Sequence, residues 1–335
     1  MLGHLLPDLI SRGGLTWIEQ PFFVRYPWLI HAFSTRLGGV SRGRWGGLNL
    51  GFTKGEPGTG VRKNRELFLH QLGAEHFALA AIRQIHSAAV YQVERNTRSE
   101  LEYRLAGGTP TGPPGLARPE GDALLTDQAG ILLSVRTADC LPVLLADPAH
   151  RAVAAVHAGW RGALARIVEK AVGEMRRVFG SEPARLLAVL GPCIRVCCYE
   201  VGEDVEEAFQ GRFPNADKFF RRRTGPSAPR PVKHSLSFLN LQPPGHSAGS
   251  DPRAHLDLVA VAVGQLYTAG LAPRHVAVVD LCTACRTDLF YSYRREGNGT
   301  GRMLAVIGIR PVAQGAWGFR EKHLPSSFPR RRESI

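Results

Sequence analysis

The run ILLSVRTADCLPVLLAD (131–147) constrains this chain more than any other segment. Its two apolar stretches are continuous rather than alternating, the pattern of strands covered on both faces. Between them lie Arg136, Thr137, Asp139 and Cys140. Burying such groups costs roughly several kcal/mol unless they are paired or bind something. The segment therefore reads as two buried strands separated by a polar break. ALLTD (123–127) and AVAAVHAGW (152–160) are further buried strands. RGALARIVEKAVGEMRRVFG (161–180) places Leu164, Ile167, Val168, Ala171, Val172, Met175 and Val178 near a 3.6-residue period and predicts one amphipathic helix.

On either side the pattern is less regular. Residues 20–53 read as short strands and turns, and NRELFLHQLG (64–73) as a helix ending on Gly73. AIRQIHSAAVYQVE (81–94) is a strand candidate bent near His86, and 95–119 is a Gly- and Pro-rich loop. ARLLAVLGPCI (184–194) is a strand, YEVGEDVEEAFQGRF (199–213) a helix, and HLDLVAVAVGQLYTAG (255–270) a helix ending at Gly270. HVAVVDL (275–281) and MLAVIGI (303–309) are strands. This order predicts a mixed α/β (α+β) fold: a single domain, 20–310, of layered mixed β-sheets flanked by helices. Residues 214–253, rich in Pro, Arg, Ser and Gly, read as a flexible insertion, and 311–335 as a disordered tail. Neither a GxGxxG turn after a first strand nor a P-loop occurs, which argues against dinucleotide or nucleoside triphosphate binding.

The net charge of +13 raises the question of a nucleic-acid partner. Most of that surplus sits in two segments. One carries Lys218, Arg221, Arg222, Arg223, Arg230, Lys233 and Arg253 against Asp217 and Asp251; the other carries Arg320, Lys322, Arg330, Arg331 and Arg332 against Glu321 and Glu333. No basic helix or aromatic-interleaved strand accompanies them, so no dedicated nucleic-acid role is expected. No apolar run approaches the ~18–20 residues that span a bilayer, and MLGHLLPDLISRGG lacks the parts of a signal peptide; a cytoplasmic location without membrane attachment is the expectation. The cysteines 140, 193, 197, 198, 282 and 285 are too few for a disulfide scaffold. Cys282 and Cys285 have the spacing of half a zinc site or a redox pair. The adjacent Cys197–Cys198 doublet fits poorly as the other half, so most of these thiols are expected to be reduced packing residues.

Three polar interruptions of apolar segments are candidates for chemistry. Gln84-Ile85-His86-Ser87 is the first, and Arg136-Thr137-Ala138-Asp139-Cys140 the second. In the third, His157 ends a strand, and Gly159 and Trp160 lead to Arg161 at a helix start, a position that attracts anions. His86, Cys140 and His157 together would suit zinc, with a fourth position left for water, the arrangement of a catalytic site. Each also has a plain reading as a packed residue. A thiol nucleophile at Cys140 with a histidine base, or a purely structural zinc, are alternatives.

The ordered motifs FSTRLGGVSRG (33–43), LNLG (48–51), RKNR (62–65), QIHS (84–87), EGDALLTD (120–127), VRTADCLPVLLAD (135–147), AVHAGWRG (155–162), LGPCI (190–194), CYEVG (198–202), HLDL (255–258) and FYSYRREGNGTGRMLAVIGI (290–309) resemble the YfiH-type laccase-domain family. That family is also called multicopper polyphenol oxidase or bacterial purine nucleoside phosphorylase. The resemblance implies a YfiH-like (cytotoxic necrotizing factor-like) fold and zinc, with copper possible, on His86, Cys140 and His157. It implies phosphorolysis of adenosine, inosine and methylthioadenosine to base and ribose 1-phosphate, together with adenosine deamination. Copper-dependent phenol oxidation and cysteine or zinc hydrolysis of peptidoglycan precursors are the family's older readings. The expected partners are a purine nucleoside and phosphate, in a monomer or homodimer. Asp139 is the candidate proton shuttle, or else pairs with Arg136 or fixes a ligand histidine. Arg36 and Arg161 are candidate phosphate clamps, and Ser34, Asn49 and Arg136 candidate substrate contacts. Arg294 and Arg295 are placed at the rim or at a subunit contact. Ser87 stands where the family usually has Gly.

Overall fold

The computed structural model describes residues 7–53, 55–106, 119–223 and 253–311. Two sheets are formed. The first runs, in spatial order, β1 (Asp8–Arg12), β2 (Leu15–Glu19), β3 (Leu29–Ser34), β15 (Met303–Ile309), β8 (Ile131–Thr137) and β4 (Ala78–Ala80). The second runs β14 (Val276–Val278), β11 (Leu187–Leu190), β9 (Leu141–Asp147), β10 (Ala152–Ala158), β7 (Ala123–Thr126), β5 (Val90–Arg95) and β6 (Leu101–Leu105). A small antiparallel pair, β12 (Phe220–Arg223) and β13 (Arg253–Leu256), stands apart.

Period-two alternation explains why the strands are apolar throughout. On β8, Ile131, Leu133 and Val135 join Leu144 and Ala146 of β9 and Val153 and Ala155 of β10 in a core between the sheets. Leu132, on the opposite face of β8, packs with Leu304, Val306 and Phe68 of helix α2 (Gly58–Leu72). The outer face of the second sheet is covered by Val168, Val172 and Met175 of α4 (Ile167–Phe179) and by Val261 and Leu266 of α6 (Leu258–Thr268). The result is helix, sheet, sheet, helix, which matches the expected layered mixed architecture. Because β8 and β9 belong to different sheets, Ala138, Asp139 and Cys140 are the step from one to the other. The polar break in the apolar run is that crossing.

Several expectations change. The first sheet begins at Asp8, upstream of residue 20, because the hairpin β1–β2 is pinned onto β3 by Trp17 and Ile18. Part of the loop 95–119 is strand: a turn in which Asn96 Oδ1 accepts from the Arg98 and Glu100 amides folds β6 back onto β5. The helix 161–180 is two helices, α3 (Trp160–Leu164) and α4, broken where Arg166 takes φ 60°. The helix 199–213 shortens to Glu203–Gln210, and 255–270 to α6, because Asp257 caps the latter by accepting from the Val259 and Ala260 amides. The ends of the segment 214–253 form β12 and β13; residues 224–252 and 312–335, where most of the insertion and tail were placed, lie outside the described residues.

His31 on β3 is buried, its Nε2 accepts the Gln20 amide at 2.9 Å, and its ring meets Phe23 edge-on. Burial lowers its pKa from 6.5 to about 3. The fold thus favours the neutral form, and the stability this contributes is present above about pH 6.5 and lost as pH falls towards 3. At about pH 5 the loss is about 2 kcal/mol. His31→Gln should flatten the fall in unfolding free energy between about pH 7 and pH 5 in denaturant titrations; an unchanged slope would refute this role.

Candidate active site

Three separate segments meet at one end of the sheet sandwich. Cys140 stands just before β9, His157 lies near the end of β10, and His86 sits on the irregular connection between β4 and β5. In register, His157 lies opposite Pro142, so thiol and imidazole are brought close by ordinary antiparallel pairing. His86 Nε2 is 3.8 Å from Cys140 Sγ, and the two imidazole rings lie 5.0 Å apart at 74°. The three donor atoms all fall within 4.8 Å of one another.

Asp122, at the start of β7, is the organiser that the sequence reading passed over. It is fully buried. One carboxylate oxygen takes His157 Nδ1 at 2.8 Å and the His86 amide at 3.1 Å; the other takes the Ser87 amide and hydroxyl and the Ile85 amide. Burial acts to raise its pKa, but the hydrogen bonds and charge of His157, with those from Ser87, outweigh it and the net shift is downward. Since Nδ1 of His157 is committed to Asp122, Nε2 faces the thiol, the carboxylate–histidine arrangement typical of metal ligands. His86 itself takes φ 60°, a strained state for a non-glycine residue that the four bonds from residues 85–87 to Asp122 hold in place. The glycine-to-serine departure lies next to this strained residue rather than on it, and Ser87 Oγ adds a donor at 2.8 Å.

The donors are electrically coupled. Burial would raise the Cys140 pKa, yet the charge of His157 and hydrogen bonds from both histidines lower it to about 6. Burial would lower that of His157, but the Cys140 charge and Asp122 raise it to about 9. The two shifts favour a thiolate beside an imidazolium, so a metal taking this site displaces the imidazolium proton. Two imidazoles, one thiolate and a carboxylate behind one imidazole fit a zinc ion. Small residues keep the space open: a Cβ on Gly159 would lie 2.7 Å from the His86 ring and 3.1 Å from Cys140 Sγ.

These residues form the floor of a cleft of about 740 Å³. Four arginines line it, Arg136, Arg161, Arg294 and Arg302, with Phe52, Trp160, Tyr199 and Tyr293 as aromatic walls; Arg294 also donates to the Glu200 carbonyl and Arg302 to the Thr300 and Gly301 carbonyls. Arg161 stacks on Trp160 at 4.3 Å, and no ion pair engages it among the described residues. Arg136 does not pair with Asp139. Its amide and Nε donate to Gln84 Oε1, and Gln84 Nε2 donates to its carbonyl. Asp139, in the cleft wall at φ 94°, accepts from Thr283 Oγ1, Ser292 Oγ and the Arg294 amide, while fixing a ligand histidine falls to Asp122. Burial raises the Asp139 pKa, opposed by those three donors.

Ser34, Arg36 and Asn49 lie outside the cleft lining. Ser34 Oγ accepts the Leu304 amide; Arg36 pairs with Glu296 at 2.7 Å and stacks on Tyr291; Asn49 accepts from the Gly51 and Arg302 amides. Their polar atoms bond to neighbouring strand and loop backbone and to Glu296. Arg294 lines the cleft, whereas Arg295 turns away to the Ala284 carbonyl. Arg302 was missed, standing only within the motif FYSYRREGNGTGRMLAVIGI.

Residues 30–310 match the family model described as multi-copper polyphenol oxidoreductase laccase. The chain is 35% identical to a purine nucleoside phosphorylase of Deinococcus radiodurans, over 86% of this chain and 92% of that one. It is 32% identical to adenosine deaminase RL5 from an unknown prokaryotic organism, over 83% and 93%. The crystal structure of the hypothetical protein YfiH of Bacillus licheniformis superposes with TM-score 0.70 at 26% identity, covering 90% of this chain and 99% of that one.

Asp122→Asn should leave the protein folded but weaken metal binding about 10- to 100-fold, read by competition with a chromophoric chelator. Gly159→Ala should likewise lower metal content by forcing His86 and Cys140 apart. Full metal occupancy in both variants would refute the assignment of this site.

Proposed function

The chain belongs to the multi-copper polyphenol oxidoreductase laccase family, among the YfiH-type laccase-domain proteins, and from that premise we propose that it is a zinc-dependent purine nucleoside phosphorylase. The observation that carries the reading is the cleft, where four arginines and aromatic walls stand over the three candidate ligands. A phosphate dianion needs several cationic donors, and guanidinium groups match its oxygens two at a time. A purine needs flat apolar contact.

His86, Cys140 and His157 are the proposed metal ligands. When bound, the metal would supply a Lewis acid able to polarise a substrate atom and to lower the pKa of water. Arg161 and Arg136 hold phosphate and orient one oxygen towards C1′ of the ribose. The new bond forms there as the glycosidic bond breaks and its electron pair leaves with the base, giving ribose 1-phosphate. Trp160 and Tyr199 pack against the base. Asp139 positions the Arg294 backbone through the bond it accepts from that amide, and directly precedes Cys140. Adenosine, inosine and methylthioadenosine are the proposed nucleosides. Deamination of adenosine is a proposed second activity, supported by the name of the 32% identical relative. One domain carries this chemistry. The six cysteines, none of them in a disulfide, suit a reducing, cytoplasmic setting, and no helix among the described residues is long and apolar enough to cross a membrane.

The thiolate–imidazolium pair favours one competing reading, a metal-free hydrolase with Cys140 as nucleophile. Chelation separates the two. Purified protein given adenosine or inosine with phosphate should form ribose 1-phosphate, lose turnover on chelation and regain it with zinc. Turnover unaffected by chelation would reject the zinc reading. Arg161→Ala should lower kcat/KM for phosphate about 10- to 100-fold, the worth of a charge-assisted hydrogen bond. A loss confined to the nucleoside would instead place phosphate elsewhere.

A further inference from the structure

The doublet judged a poor partner for Cys282 and Cys285 is brought against them by the fold. The Cys197–Cys198 turn closes where the Cys198 and Tyr199 amides donate to the Arg195 carbonyl. The segment holding Cys282 and Cys285 is tied alongside it by a bridge between Cys193 and Cys282 and by the Thr283 amide donating to the Cys193 carbonyl. The four sulfur atoms lie within 4.8 Å of one another, with Cys285 Sγ 3.5 Å from Cys197 Sγ and 3.4 Å from Cys198 Sγ. These are not disulfide lengths, which are about 2.05 Å. A tetrahedral zinc with Zn–S bonds of about 2.3 Å separates its sulfurs by about 3.8 Å, close to what is seen.

We propose that Cys197, Cys198, Cys282 and Cys285 bind a second, structural zinc ion. The surroundings suit four thiolates. The Arg195 amide donates to Cys282 Sγ at 3.4 Å, and the Arg295 guanidinium to Cys198 Sγ at 3.7 Å. Binding releases the protons of whichever thiols are still protonated and involves no change of oxidation state. Four protein ligands leave no open position, so the ion has no catalytic role of its own.

Its effect is on the cleft wall. Tyr199 follows the doublet directly, Thr283 lies between the other two cysteines, and the nearby Arg294 amide joins Thr283 on Asp139. A metal here clamps two segments that both hold Asp139, one through the Ile194 amide on its carbonyl and the other through Thr283 Oγ1 on its carboxylate, and Asp139 precedes Cys140. None of the four cysteines lines the cleft, so the site is separate from the one already described. The proposal does not rest on the phosphorylase reading.

The test is elemental analysis of full-length protein expressed with zinc, unsubstituted and as Cys197→Ser/Cys285→Ser, together with absorption spectra after cobalt(II) substitution. The double variant should carry one metal equivalent per chain fewer and lose the intense visible bands of tetrahedral four-thiolate cobalt. Cys140→Ala should keep those bands. Cys285→Ser alone, at an exposed position, gives the same readouts if the double variant does not fold. Equal metal content in variant and unsubstituted protein, loss of all metal in Cys140→Ala, or a disulfide among the four cysteines by mass spectrometry under non-reducing conditions would overturn the proposal.

Discussion

A single buried carboxylate ties the two halves of the candidate site together. Asp122 begins an interior strand, and its two oxygens are shared between the imidazole of His157 and the backbone of Ile85, His86 and Ser87. An unpaired carboxylate at this depth would be neutralised or would destabilise the fold. Here five donors surround it. The same bonds that satisfy the charge fix the ring orientation of one proposed ligand and the strained backbone of another. Removing the charge while keeping the shape therefore tests the site and not the sandwich.

The sandwich was largely legible in the sequence, because strands covered on both faces leave a continuous apolar signal. The positions of Cys140 and His157 were legible for a related reason: polar residues interrupting such strands stand out. Asp122 did not stand out, since it precedes ALLT at a strand boundary, where an acid is usually a turn residue. Ser34, Arg36 and Asn49 show the converse. Their motifs are conspicuous, yet their side chains bond to strand and loop backbone and to a partly buried partner, Glu296, which only the tertiary arrangement reveals. The edge strand β6 escaped notice although Leu101, Tyr103 and Leu105 alternate with polar residues, because so short a run beside a Gly- and Pro-rich stretch read as part of the loop.

Charge tells a similar story. Much of the chain's positive surplus lies in segments far along the sequence from the ligands, whereas four arginines scattered from 136 to 302 converge in the cleft. Their local densities are unremarkable; convergence is a property of topology. Two of them adjoin proposed site residues: Arg294 through its amide on Asp139, and Arg136 through Gln84, which stands two residues before His86. Anion recognition and metal ligation thus share supporting contacts.

The step of the chain from β8 to β9 has a consequence for how the molecule assembles. The thiol there and the imidazole on the β4–β5 connection are 54 residues apart, and they become neighbours only when both sheets have formed and docked. An ion held by all three side chains would act as a late cross-link, favoured by the native ensemble and nearly invisible to the unfolded one. By mass action its concentration then sets the apparent stability of the whole sandwich. Metal scarcity would accordingly be felt first as a shorter lifetime of the folded chain under proteolysis, even in molecules never asked to turn over substrate.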